Sequence, residues 1–344
     1  MEYKVLGRTG LRVSEVGFGG IPILRLPTEE AVQILRHAFD KGITFFDTAN
    51  AYRDSEDKIG QAFHGMREQV VIATKTMKRD AAGAQEHLDN SLRMLQTDYI
   101  DIYQFHQVAQ EADWEAISGP SGAMGAVLKA REAGKVRNIG ATSHSLPMAI
   151  RLVRSGLFNT IQFPFNFIED AAKDVLFQAA GEMNVGVIAM KPFAGGVIAS
   201  AALAFKFLRQ HPAAVPIPGF DSVDAVDEVI SLYQQPNRVT DSDRLAMDQV
   251  RAEVGGQFCR RCEYCQPCPN GVMITPAMGY PIVAHRMSPA VAVRFSKDPM
   301  ETVPLCSECG VCTTLCPYEL PISEILKKNY ELYKQQLDAL SPKA

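Results

Sequence analysis

Eight cysteines constrain this chain of 344 residues more than any other feature. None precedes Cys259. All fall in two short runs, Cys259, Cys262, Cys265 and Cys268, then Cys306, Cys309, Cys312 and Cys316. Disulfide scaffolds are small secreted domains with cysteines spread throughout. Here a long cysteine-free stretch precedes a cysteine-dense one. That asymmetry predicts two parts with different tasks, the second built around metal.

Charge and hydropathy exclude other classes. Lys and Arg number 35 against 39 Asp and Glu, a net charge of -4. No basic excess exists to hold a nucleic-acid backbone, so no nucleic-acid partner is expected. No apolar run approaches the ~18 residues of a membrane span, so no membrane role is expected either. The opening Met1-Glu2-Tyr3-Lys4-Val5 lacks the charged-then-apolar pattern of a secretion signal, and a cytoplasmic protein is expected.

From residue 16 to residue 219, short apolar runs alternate with amphipathic stretches. The runs are 16–20, 44–47, 70–75, 99–103, 136–141, 160–165, 186–190 and 214–218. Their nearly continuous apolar character predicts strands covered on both faces, as in a parallel sheet. Between them, Ala31, Ile34, Leu35 and Ala38 recur at helical spacing after Thr28-Glu29-Glu30, with Thr28 as N-cap and Gly42 as stop. Leu88, Leu92 and Leu95 mark another helix, and Val223, Val226 and Ile230 a later one. Eight strand–helix units of this size predict an α/β fold, a (β/α)8 barrel over residues 1–240. An open doubly wound sheet is the alternative, but no Gly-x-Gly-x-x-Gly follows the first strand. Residues 3–6 and 11–13, turning at Arg8-Thr9-Gly10, predict a hairpin before the barrel. Residues 241–344 form the metal-binding part. It is expected to be mainly helical and to end in a helix whose face is Ile322, Ile325, Leu326, Tyr330 and Tyr333.

Barrel chemistry sits at the C-terminal ends of the strands. Asp47, Lys75 and His106 stand at three such ends, and Tyr52 lies on the loop after the first of them. Any one alone reads as a hydrogen-bonded structural residue; four of these types together make a proton-transfer set. The segments Phe46-Asp47-Thr48-Ala49-Asn50-Ala51-Tyr52, Ala73-Thr74-Lys75 and Gln104-Phe105-His106 resemble the signature regions of the aldo-keto reductases. So do Leu6-Gly7-Arg8-Thr9-Gly10-Leu11, Gly17-Phe18-Gly19-Gly20 and Ile217-Pro218-Gly219. The resemblance covers about residues 1–240. It implies a (β/α)8 barrel that binds a nicotinamide cofactor, NADH or NADPH, and reduces a small carbonyl compound or oxidises an alcohol. Hydride addition leaves an incipient alkoxide that needs a proton, and Tyr52 would donate it. A free phenol has a pKa near ~10, so the Lys75 cation should ease the donation, with Asp47 holding Lys75 in place. His106 would orient the carbonyl.

The same resemblance places Ser143, Gln162 and Asn166 near the nicotinamide carboxamide. Two stretches depart from the family pattern. Where many members carry a stacking aromatic after the seventh strand, this chain has Met190, expected to pack there, followed by Lys191, whose charge would face a phosphate or an anionic substrate. After Pro218-Gly219, where a cation often grips the 2′-phosphate of NADPH, it has Phe220-Asp221-Ser222. An acidic group suits a free ribose hydroxyl instead.

The second cysteine run reads C-x2-C-x2-C-x3-C-P, the bacterial ferredoxin spacing, in which the fourth thiolate serves the other cluster. The first run is one residue shorter in its last gap. Eight thiolates give two [4Fe-4S] clusters in the simplest count. One would use Cys259, Cys262, Cys265 and Cys316; the other Cys306, Cys309, Cys312 and Cys268. Structural zinc is the alternative metal, more readily in the first run than in the second, and a single cluster on the second run is a further alternative. Residues 256–322 resemble helical two-cluster ferredoxin domains, and the whole chain resembles the aldo-keto reductase branch with a C-terminal iron–sulfur domain. That implies clusters relaying electrons to or from a redox protein such as ferredoxin. The rival reading is an electron-transfer subunit or scaffold, with clusters that relay or are structural and a barrel without hydride chemistry.

Overall fold

The structure is a computed structural model. It describes residues 1–261, 263–316 and 318–340, and at 255, 285 and 286 the backbone alone. Ten strands form: β1 (Tyr3–Val5), β2 (Arg12–Ser14), β3 (Phe18–Gly19), β4 (Phe45–Asp47), β5 (Val71–Thr76), β6 (Ile100–Phe105), β7 (Val136–Thr142), β8 (Thr160–Pro164), β9 (Gly186–Met190) and β10 (Ala214–Pro216). The last eight arise where the apolar runs predict them. They pair in chain order from β3 to β10, every ladder parallel. The sheet then closes. Gly19 bridges Gly219 in parallel, while the amides of Gly17 and Gly19 donate to the carbonyls of Pro216 (2.8 Å) and Pro218 (2.7 Å). A Cβ on Gly19 would lie 2.8 Å from the Ile217 carbonyl oxygen, so this seam needs a glycine.

The interior is layered by the two-residue period of a strand. Phe45, Ala73, Ile102, Ile188, Val215 and Ile217 form one apolar cluster inside the barrel. Two residues further along their strands stand Asp47, Lys75 and Gln104, so the next layer toward the strand C-termini is polar. The register agrees: Ala73 pairs with Ile102 and Lys75 with Gln104.

The antiparallel hairpin β1–β2 closes the opposite end, sending Leu6 and Val13 into the same apolar cluster. Its turn is tied to the segments that lead into the barrel strands. The Arg8 amide donates to the Asn184 carbonyl before β9 (2.7 Å), and the Arg8 guanidinium donates to the carbonyls of Gly156 and Phe158 before β8 (both 2.7 Å). The outer helices follow the predicted faces. In the helix Thr28–Asp40 the four buried residues are Ala31, Ile34, Leu35 and Ala38. Thr28 is not its cap, however. It is the first helical residue, and Pro27, which supplies no side-chain cap, stands before it. Gly42 at φ 96° ends the turn that follows.

The chain divides into two compact units, residues 1–194 with 198–244, and 195–197 with 245 onward. The second is helical among its described residues. Its core joins Val272, Ile274, Ala277, Met278, Tyr280, Val293, Met300 and Val303 to Leu320, Ile322, Leu326 and Tyr333. The long helix Ile322–Leu340 supplies the expected face, with Ile325 and Tyr330 packed at the margin of that core. Among the described residues, no helix is long and apolar enough to cross a membrane.

Gly7 sits at φ 51°, and a Cβ there would lie 2.2 Å from the Gly186 amide nitrogen. Gly7→Ala should therefore lower the unfolding free energy of the barrel unit by roughly 2–4 kcal/mol, through left-handed backbone and overpacking. Urea denaturation measures this, and an unchanged midpoint would remove the close approach of hairpin and β9 from the account.

Candidate active site and cluster sites

The polar layer at the strand C-termini is organised around one buried ion pair. The Lys75 Nζ donates to Asp47 Oδ1 and to the Thr48 carbonyl, each at 2.5 Å, with the two side chains only 1% and 4% exposed. Two amides complete the carboxylate's shell. Gln104 Nε2 donates to Asp47 Oδ2 (3.2 Å) and to Gln162 Oε1 (3.0 Å), while Gln162 Nε2 faces Asp47 Oδ1 at 3.4 Å. Gln104 is absent from the predicted set. Its signal is the step of two from Ile102, which places it on the inner face.

Tyr52 is brought to this pair by the turn after β4. Its amide donates to the Ala49 carbonyl, and its carbonyl accepts from the Ser55 amide (both 2.8 Å). Three buried polar residues then pin the helix Ser55–Phe63. Ser55 accepts from Thr48 Oγ1 (2.8 Å) and donates to the Gly20 carbonyl (2.9 Å). Glu56 accepts from Thr74 Oγ1 at 2.6 Å. Lys58 Nζ donates to the carbonyls of Ile23 and Leu26 (both 2.9 Å). The Tyr52 ring consequently lies with its centroid 5.2 Å from the Lys75 Nζ and 5.7 Å from the His106 ring, edge to face with the latter. The four residues singled out in the sequence, three near strand ends and Tyr52 on a loop, are thus one cluster.

Electrostatics in the cluster follow from burial. Desolvation raises the Asp47 carboxyl and lowers the Lys75 ammonium, and each partner's charge opposes the other's shift. Burial, aided by the Asp47 charge, pushes the Tyr52 phenol well above its ordinary range. The Lys75 ammonium, the cation expected to ease proton release, is itself paired with Asp47. His106 is lowered to about 3 by burial first, then by the Lys75 and Arg79 charges, so its imidazole is neutral at physiological pH.

The residues expected at the nicotinamide are spread over neighbouring strand ends. Ser143 follows β7 and shares hydrogen bonds with the Ser145 backbone, donating to its carbonyl (3.2 Å) and accepting from its amide (3.1 Å). Gln162 is engaged with Asp47. Asn166 is spent on the loop backbone, donating to the Lys191 carbonyl (3.0 Å) and accepting from the amides of Ile168 and Glu169 (both 2.9 Å). Met190 ends β9 half-buried against the apolar cluster. Lys191 follows at φ 58°, its Nζ 2.6 Å from His144 Nε2. Pro218 and Gly219 form the barrel seam. Exposed Asp221 has Arg25 at 4.0 Å, a cation invisible in the local sequence because it comes from the loop after β3.

The cysteine runs share one backbone pattern. In the first, Arg261 and Glu263 flank the second cysteine with φ of 57° and 65°; in the second, Glu308 and Gly310 do so with 57° and 75°. Cys262 itself lies outside the described residues. Cys268, Cys306, Cys309 and Cys312 line one cavity, floored by Val272, Ile274 and Leu326. Cys259, Cys265 and Cys316 pack against the same helical core. Among the described residues no three His, Cys, Asp or Glu side chains are grouped to hold a single metal ion; four thiols ring a hollow instead.

Comparison with known proteins agrees with both halves. The model of the aldo/keto reductase family matches residues 15–202, and that of a 4Fe-4S dicluster domain matches residues 258–321. The uncharacterized oxidoreductase YrpG of Bacillus subtilis is 32% identical over 234 residues, covering 59% of this chain and 70% of that protein. The aldo-keto reductase YhdN of the same organism is 34% identical over 205 residues, covering 54% of this chain and 60% of its own length. A solved aldo-keto reductase from Bacillus halodurans, in its holo form, has a TM-score of 0.62 at 23% identity, covering 73% of this chain and 96% of that one. At that identity the likeness is one of fold. The first family model spans more than half of the sequence, and the chain belongs to the aldo/keto reductase family of oxidoreductases, with a 4Fe-4S dicluster domain C-terminal to its barrel.

Proposed function

We propose that the barrel reduces a small carbonyl compound with NADH or NADPH, or runs the reverse alcohol oxidation, with Tyr52 as the general acid and base. The observation that carries this reading is the buried Asp47–Lys75 pair with the Tyr52 and His106 rings beside it. A scaffold gains nothing from two buried charges at strand ends, since apolar residues of similar size cost less. The site also offers groups that the protein leaves unused. Gln104 Oε1 and His106 Nδ1 are buried polar atoms without a protein partner. A bound nicotinamide would supply a hydride, two electrons in one step. The chain's part is to orient the carbonyl through the neutral His106 imidazole and to hold the Tyr52 hydroxyl for donation to the oxygen that becomes the alcohol. The elevated Tyr52 phenol suits an acid that keeps its proton until the alkoxide forms.

The thiols are read as ligands of two [4Fe-4S] clusters, Cys306, Cys309, Cys312 and Cys268 for one, Cys259, Cys262, Cys265 and Cys316 for the other. The thiol-lined cavity and the repeated left-handed positions support this reading. Cubanes supply one-electron steps, so the clusters would exchange electrons with a redox protein such as ferredoxin. Thiolates kept for such ligation suit the reducing cytoplasm.

Three measurements test these assignments. Anaerobically purified protein should carry about eight irons and eight sulfides per chain; zinc without sulfide would replace the clusters by structural zinc. Asp221 meets the cofactor's ribose in this reading, so NADH should bind at least as tightly as NADPH. Asp221→Arg should shift the preference toward NADPH by roughly 1–3 kcal/mol. A wild type that strongly favours NADPH would instead assign the phosphate to Arg25. Tyr52→Phe should slow carbonyl reduction on the order of 10²–10⁴-fold with little change in nicotinamide affinity. Unchanged carbonyl reduction in the Tyr52 variant would remove this site from the mechanism.

A further inference from the structure

One charged side chain beside the cluster has no part in the chemistry above. Arg79 lies on the loop after β5, and its guanidinium reaches across to the segment that follows β6. Its Nη2 donates to the His106 carbonyl (2.9 Å) and to the Gln107 carbonyl (3.0 Å). Its Nε donates to Asp113 Oδ1 at 3.0 Å, on the helix Glu111–Ser118. Asp113 in turn accepts from the Ala109 amide through Oδ2 (3.1 Å). One planar group therefore binds the start of the loop directly and its end through a carboxylate. The segment needs holding, because Gln107 is in the left-handed region at φ 54°. The remaining Nη1 is buried without a protein partner.

The same guanidinium adds, after burial and Lys75, to what keeps the imidazole neutral. The charged groups bearing on His106 are Lys75 from β5 and Arg79 from the loop after it. Lys75 is matched by Asp47 at 2.5 Å on β4, and Arg79 by Asp113 at 3.0 Å on the following helix. The Tyr52 ring, edge on at 5.7 Å, is neutral. Burial comes first in keeping the imidazole neutral, and the two cations add to it.

We propose that Arg79 is the positioning residue for His106: it clamps the His106–Gln107 backbone and so fixes where the imidazole stands at the barrel mouth. The mechanistic use of that imidazole rests on the carbonyl-reductase reading, whereas the clamp does not. A displaced imidazole would misdirect the carbonyl away from Tyr52.

The test uses the full chain with its histidine rings labelled with ¹⁵N, titrated by NMR, the His106 signal being assigned from its loss in His106→Asn. Wild-type His106 should stay neutral across the accessible pH range. In Arg79→Gln its ring ¹⁵N signals should shift, because the imidazole leaves the position that the clamp gives it. With 4-nitrobenzaldehyde as the probe substrate, kcat of Arg79→Gln should fall on the order of 10- to 100-fold while the KM for the nicotinamide holds. Arg79→Lys should restore the ring signals and the rate only in part, because an ammonium cannot reproduce the guanidinium's fork across two carbonyls and a carboxylate. Unchanged His106 ring signals in Arg79→Gln would overturn the proposal. If wild type reduces no carbonyl with either nicotinamide, the reductase reading fails while the ring signals still decide the role of Arg79. Should Arg79→Gln not fold, Asp113→Asn loosens one tie of the clamp and should lower kcat in the same direction; an unaltered kcat there would count against the clamp.

Discussion

The Asp47–Lys75 ion pair is the interaction on which the barrel mouth depends. Both charges are taken out of water at a cost that their mutual attraction offsets only with good geometry and full hydrogen bonding. Gln104, Gln162 and the Thr48 carbonyl provide that bonding. The pair therefore recruits polar groups from β4, β5, β6 and β8 into one layer, directly above an apolar layer that would not tolerate them. It also fixes Lys75 in place, its Nζ 2.5 Å from the carboxylate.

Around that pair the mouth is assembled from loops that reach across strands. The Tyr52 turn is held by Ser55, Glu56 and Lys58, each buried and each bonded to a different part of the chain. Arg79 spans from the loop after β5 to the segment after β6. Asn166 and His144 tie the strand ends of β7, β8 and β9 through Lys191. Polar bridges between loops give a rigid mouth without adding apolar surface where a ligand must enter, and rigidity is what a positioned proton donor requires.

The helical unit solves a different problem. Seven of its cysteines are described, and six of these pack on its apolar core. Left-handed residues flank the second cysteine of each run at matching places, and Cys312 stands on the short helix Val311–Leu315. Metal ligation would add to the stability of such a unit, because a preformed site does not survive in the unfolded chain.

Much of this was legible along the chain. The eight strand runs, the buried face of the helix Thr28–Asp40 and the two cysteine spacings are all written within a few consecutive residues, since strand and helix periods and ligand loops are local. Asp47, Tyr52, Lys75 and His106 could be singled out because each ends or follows a recognisable apolar run. What the sequence did not determine depends on partners far apart in it. Gln162 reaches Asp47 across 115 positions, Gln104 across 57, and Arg79 reaches the His106 backbone across 27. Asn166, marked from the sequence for a cofactor, is taken up by the Lys191 backbone, and Arg25 arrives beside Asp221 from the far side of the seam. The elevated Tyr52 phenol belongs to the same class: only closure of the barrel buries it beside the Asp47 charge. Local pattern sets which residues turn inward, and barrel closure alone decides which of them meet.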